Sequence, residues 1–232
     1  MNDKLGDTIL KTESVYISLR KAALFAGVGY LLSFIGAIFA TYATNSENVI
    51  ASEELFRSGI FSFLIAIIGD MFRAWALFIF FKPISKHLAL ISAWFMLVHD
   101  AIFGAALVNL VLSSILSNAE ISASVFEVSQ IGTLNSLFLD GFNIGFEIGL
   151  FFFSFHLGIL GYLVWKSANI PRIFSILLFI ASFGYILNSS IKILLPNPPE
   201  ILWNIFIAPC FIGELAIILW LVIKGGKETL KE

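Results

Sequence analysis

Six long, mostly apolar stretches dominate this chain: Ala22 to Tyr42, Ile60 to Phe81, His87 to Leu116, Phe138 to Trp165, Ile170 to Leu195 and Ile201 to Ile223. A helix needs about 20 such residues to cross a hydrocarbon core about 30 Å thick. Helices also satisfy every backbone N–H and C=O internally where no water can reach them. The pattern predicts an all-α, polytopic integral membrane protein with six transmembrane helices. The third and fourth stretches are longer than a crossing requires, which implies tilt or extension beyond the bilayer. Composition agrees: 13% of the residues are charged and 59% hydrophobic, against about 25% charged in soluble domains.

Basic residues set the expected orientation. With the N-terminus inside, one side collects Lys4, Lys11, Arg20, Lys21, Lys82, Lys86, Lys166, Arg172, Lys224, Lys227 and Lys231. The other side holds Arg57 and Lys192, with Glu47, Glu53, Glu54, Glu120, Glu127 and Glu200 in its loops. Both termini are therefore expected in the cytoplasm, around a helical domain at 22–223 with polar tails at 1–21 and 224–232. Lys82-Pro83 and Ile170-Pro171 mark tight cytoplasmic turns, and Pro196, Pro198 and Pro199 an outer one. Residues 43–59 and 117–137 form the two longest loops, both outside. Ser52 followed by Glu53 and Glu54 reads as the N-cap of the second helix.

A net charge of −2 offers no basic track for a phosphate backbone, so a nucleic-acid partner is excluded. The single cysteine, Cys210, rules out an intrachain disulfide and any CxxC site and reads as a small core residue. No small-residue cleavage site follows the N-terminal tail, so the first span is expected to be retained. No phosphate-binding glycine loop, GxSxG or HExxH is present, and no cofactor is expected.

Ionisable residues inside spans cost at least a few kcal/mol at mid-bilayer and normally face the bundle interior. By position these are Asp70, Arg73, His99, Asp100, Asp140, Glu147, His156, Lys192 and Glu214. Asp70 and Arg73, three residues apart, can pair on one helix face. His99 and Asp100 are adjacent, point about 100° apart, and are expected to serve different neighbours.

In the fourth span Ser136, Asp140, Asn143, Glu147 and Ser154 form a polar stripe. Gly141, Gly145 and Gly149 lie on another side in GxxxG spacing, which lets a neighbouring helix approach closely. His156 projects to the glycine side. The fifth span carries Ser175, Ser182, Tyr185, Ser189 and Lys192, with Asn188 beside them; Lys192 is expected to snorkel to the surface. In the sixth, Pro209 frees a backbone carbonyl one turn before Gly213-Glu214.

Five acids in the spans face two bases, and most of the polar groups lie at or beyond mid-depth on the outer side. An outward-opening polar cavity is expected, with Asp70, Arg73, His99, Asp100, Asp140, Asn143, Glu147, His156, Asn188 and Glu214 as its candidate residues.

The stretch FFFSFHLGILGYLVWKSANIPRIFSILLFIASFGYILNSSIKILLP, followed by GELAIILWLVIKG, resembles the family catalogued as domain of unknown function 4386, as does, more loosely, RSGIFSFLIAIIGDMFRAWALFIFFKPISK. Matching positions include Asp70, His156, Gly161, Tyr162, Pro171, Arg172, Tyr185, Gly213 and Glu214. The resemblance implies a multi-pass protein of the bacterial inner membrane and no particular activity. Phe95-Met96-Leu97 departs from it: relatives often carry arginine at the middle position, and that loss would leave Asp100 or Glu147 short of a partner.

Three functions fit. A transporter or sensor would bind a small molecule, cation or proton among Asp100, Asp140, Glu147 and Glu214. An assembly subunit would use the polar groups only to specify packing. An intramembrane metal-dependent hydrolase would draw ligands from His99, His156 and a carboxylate. The lipid bilayer is the partner common to all three.

Overall fold

The computed structural model describes residues 17–45, 52–117, 127–195 and 208–226, and these contain six helices and no strand. They are α1 (Leu19–Ala43), α2 (Glu53–Phe81), α3 (Lys86–Leu116), α4 (Val128–Lys166), α5 (Arg172–Leu194) and α6 (Ala208–Ile223). The first five are long and apolar enough to cross a membrane. The expected outer turn at Pro196 to Pro199, the residues 201–207, the tails 1–16 and 227–232 and the side chain of Cys210 lie outside the described residues. The described part of α6 begins at Ala208, which puts the kink expected at Pro209 at the edge of what is described.

Two helices begin earlier than hydropathy alone implies, because polar capping groups rather than apolar residues set their starts. The Ser52 side chain accepts from Leu55 N at 3.4 Å, and Glu53 and Glu54 occupy the first turn of α2, where acids offset the helix dipole. At the start of α4, Glu127 and Gln130 form a reciprocal capping box. The loops read at 43–59 and 117–137 are shortened accordingly. Ser18 and Ser85 cap α1 and α3 in the same way.

Each helix packs chiefly on its neighbours in sequence, and α1 closes on α6, so the six form a ring. Arg20 secures that closure by donating from Nη2 to Val222 O at 2.8 Å and from Nη1 to Gly225 O at 2.9 Å, at the C-terminal end of α6. A cation at that end also offsets the helix dipole. The half of the bundle next to the Lys82-Pro83 turn, here the basic end, has a core drawn from all six helices, including Tyr30, Leu77, Met96, Leu157, Leu178 and Ile217. Toward the opposite end the core, among the described residues, draws on α1 to α4, through Ala40, Phe56, Phe63, Phe103, Leu110 and Phe142. Large apolar side chains such as Phe61, Phe72, Trp94 and Phe183 are each more than half exposed around the outside. A surface of this kind matches acyl chains better than water.

At the α1–α2 crossing two backbones meet at facing glycines. A Cβ on Gly29 would meet Gly69 O at 2.7 Å, and one on Gly69 would meet Gly29 O at 2.9 Å. This approach lets short side chains one turn away reach across the crossing, as Ser33 does to Asp70 at 2.6 Å. Gly29→Val is expected to force the helices apart and lower unfolding stability by about 1–3 kcal/mol. Denaturant unfolding of the purified protein, compared with Gly132→Ala, which has open space around it, measures the difference.

Candidate functional site

Polar groups gather in two places. The first lies within the bundle, where α1, α2 and α3 meet. Asp70 Oδ1 receives the Ser33 hydroxyl at 2.6 Å and pairs with Arg73 Nη2 at 3.0 Å. The Arg73 guanidinium lies 3.9 Å above the Tyr30 ring and 5.5 Å from Phe153. Its Nη2 also donates to Met96 Sδ at 3.0 Å. Met96 is the position at which the family resemblance places an arginine; here the cation beside Asp70 comes from α2.

His99 and Asp100 do not serve separate neighbours, as their adjacency implied. Ligand atoms of Asp70, His99 and Asp100 all lie within 4.8 Å of one another. Asp70 comes to them from α2, so the convergence is made between helices and not within α3. The His99 ring is fixed by stacking on Phe103 and Phe153, at centroid distances of 5.9 and 5.2 Å. Gly149 leaves room for it, since a Cβ there would lie 3.0 Å from His99 Nδ1. Neither Asp100 oxygen has a hydrogen-bond partner, although the residue is only 4% exposed.

Two further candidates border this cluster. Glu214 Oε1 accepts from the Tyr185 hydroxyl at 2.9 Å. His156 Nδ1 lies 2.9 Å from Ser92 Oγ on α3, on the glycine side of α4 as expected.

The second place is a cavity of about 790 Å³ toward the end of the bundle opposite the basic turns, between the end of α1, the first half of α4 and the end of α5. Thr41, Asp140, Asn143, Glu147 and Lys192 supply its polar wall, and Phe63, Phe142 and Phe146 its apolar one. Neither Asp100 nor Glu214 lines it. Asp140 and Asn143 are exposed, whereas Glu147 is buried and fully partnered. It accepts from Asn188 Nδ2 and Ser189 Oγ, each at 3.0 Å, and from Lys192 Nζ at 2.5 Å. Lys192 does not simply snorkel. It stands one turn beyond Asn188 and Ser189 on the same face of α5, so its ammonium meets the carboxylate that they hold.

Between the two places stands a layer of phenylalanines. Phe103 packs on Phe63, Phe142 and Phe146 at centroid distances of 5.1, 6.2 and 5.0 Å, and its ring also stacks on His99. Phe63, Phe142 and Phe146 face the cavity, while Phe103 meets the buried cluster.

Sequence reading missed the contributions of Tyr30 and Ser33. Their signal was two polar side chains three residues apart, and so on one face, in an otherwise apolar first span. Ser92, the partner of His156, gave no sign beyond being a serine in a helix.

Removing Lys192 as Lys192→Met strands a buried carboxylate that still has two neutral donors. We expect a loss of about 1–3 kcal/mol. Combining it with Glu147→Gln restores a substantial part of that loss, because the amide has no charge to neutralise. A double-mutant cycle by denaturant unfolding measures the coupling.

A protein of Archaeoglobus fulgidus described as uncharacterized is 30% identical over 169 residues, covering 73% of this chain and 83% of its own length. That organism is archaeal, so similar proteins extend beyond the bacteria that the resemblance implied. No solved structure matches the chain. The family model for the domain of unknown function DUF4386 matches residues 25–225, a region that includes both polar places and the phenylalanine layer between them, and the chain belongs to that family.

Proposed function

We propose that this chain is a six-span protein of the cytoplasmic membrane, with both termini inside, that binds a small organic cation in its outward-facing cavity as a transporter or sensor. The observation that carries the reading is the cavity itself: about 790 Å³, apolar on one wall and acidic on the other. Volumes of about 300–1,000 Å³ suit small ligands. Lys192 already balances Glu147, so Asp140 is the acid that supplies net negative charge to the cavity. Aromatic faces beside a carboxylate suit a quaternary or tertiary ammonium group, which rings attract through their quadrupole. The orientation rests on the basic residues: Arg20, Lys21, Lys82, Lys86, Lys166, Arg172 and Lys224 share the end away from the cavity. The phenylalanine layer serves as the barrier between this cavity and the buried cluster, and in a transporter it is the element that must part.

A packing role competes at one residue. Glu147 is satisfied on every side by Asn188, Ser189 and Lys192, as a structural carboxylate would be. Asp140 and Asn143 have no such set of protein donors.

With choline as the probe, the purified wild-type protein should gain thermal stability as the probe concentration rises, and Asp140→Asn should lose most of that gain. Equal responses from the two proteins, or none from either, would overturn the ligand reading. In a Cys210→Ser background, Asn143→Cys should react with a membrane-impermeant maleimide from outside intact cells, and Phe103→Cys should not. Labelling of Asn143→Cys only after the membrane is opened would reverse the orientation.

A further inference from the structure

The buried cluster holds one acid without a partner. Arg73, the cation within it, is paired with Asp70. Ser33 and Arg73 both engage Asp70 through Oδ1, and Tyr185 engages Glu214. Asp100 has no hydrogen-bond partner on either oxygen, and one of those oxygens lies within 4.8 Å of ligand atoms of Asp70 and His99. Leaving a charged group unpaired at that depth costs several kcal/mol, and two carboxylates brought this close repel each other unless something stands between them.

We propose that Asp70, His99 and Asp100 bind one divalent first-row transition-metal ion, of the class that includes zinc, manganese and cobalt. A cation there would give the unpartnered Asp100 carboxylate a counter-charge. One imidazole with two carboxylates suits these ions, whereas calcium and magnesium prefer sites made wholly of oxygen. Convergence of the three ligand atoms within 4.8 Å gives a single ion access to all of them.

The outer contacts agree with such a site. Ser33 and Arg73 hold the Asp70 carboxylate in place. Phe103 and Phe153 fix the His99 ring, and Gly149 makes room for it. Supporting contacts of this sort orient metal ligands and carry part of the affinity. Three protein ligands also leave a coordination position open to water or to a further group.

The site is separate from the cavity assigned to the organic cation, and the two readings can fail independently. The test is a cobalt titration of the tag-free, chelator-treated full chain in detergent, followed by visible absorption and by displacement with zinc. Wild type should take up one cobalt per chain, and zinc should remove it. Asp100→Asn should abolish the signal, and Ser33→Ala, which keeps all three ligands, should weaken binding by about tenfold. Asp140→Asn should bind as wild type does. A wild-type protein with no saturable cobalt spectrum would overturn the proposal, leaving protons to neutralise the cluster. Binding that survives Asp100→Asn, is unaffected by Ser33→Ala, or is lost in Asp140→Asn would overturn it as well. Since the wild-type and Ser33→Ala results decide the matter alone, an Asp100→Asn protein that fails to fold does not block the test.

Discussion

A guanidinium held inside a lipid-facing bundle is the constraint around which the rest of this protein is arranged. Arg73 cannot shed its charge, and at 3% exposure it has almost no water. Every side chain near it answers that condition. Asp70 supplies the counter-charge from one turn earlier on the same helix, Tyr30 presents its ring face, and Met96 offers a polarizable sulfur. A buried pair of this kind adds little net stability, because desolvating both ions costs about as much as their attraction returns. What it does instead is specify. The α1–α2 crossing must be close enough for Ser33 to reach Asp70, and the glycine contact at Gly29 and Gly69 permits that distance.

The division between the two halves of the bundle follows from the same economy of polar groups. Near the basic end, all six helices contribute apolar side chains to one core and Arg20 ties α1 to the end of α6. Toward the opposite end, α4 and α5 turn polar residues toward each other, and the apolar core retreats to α1 through α4. The space left over is the cavity. Its floor is phenylalanine rather than a polar chain, and Lys192 is already engaged by Glu147, so it supplies no counter-charge to Asp100 on the other side of that layer.

Much of this was legible from residues alone, and the parts that were not share a cause. Helix number follows from the lengths of the apolar runs, and the two faces of α4 from periodicity, which depends only on residue spacing along one helix. The pairing of Asp70 with Arg73 follows for the same reason. Lys192 was misjudged because its partner Glu147 lies on another helix, and Asp100 because Asp70, with which it converges, does too. Periodicity assigns a side chain to a face but not to a neighbour, and a long flexible chain such as lysine can go to the rim or inward with little change in its own geometry. Tyr30 and Ser33 were passed over because neither carries a charge at neutral pH, and their importance comes from the residue opposite. The start of α4 was placed late because hydropathy marks where lipid begins, whereas capping marks where the helix begins; at α2 the cap itself, Ser52, was legible.

By itself, then, the sequence determined that this is a bundle of long apolar helices belonging to a membrane, which carboxylates lie within it, and which helix faces are polar. Those properties are local: each depends on residue type and on the helical repeat. Tertiary structure alone decided that Glu147 is partnered and Asp100 is not, that Asp70, His99 and Asp100 converge, and that a phenylalanine layer divides that cluster from the cavity. The physical reason is that a buried charge is defined by what surrounds it, and in a ring of helices those surroundings come from residues far away along the chain.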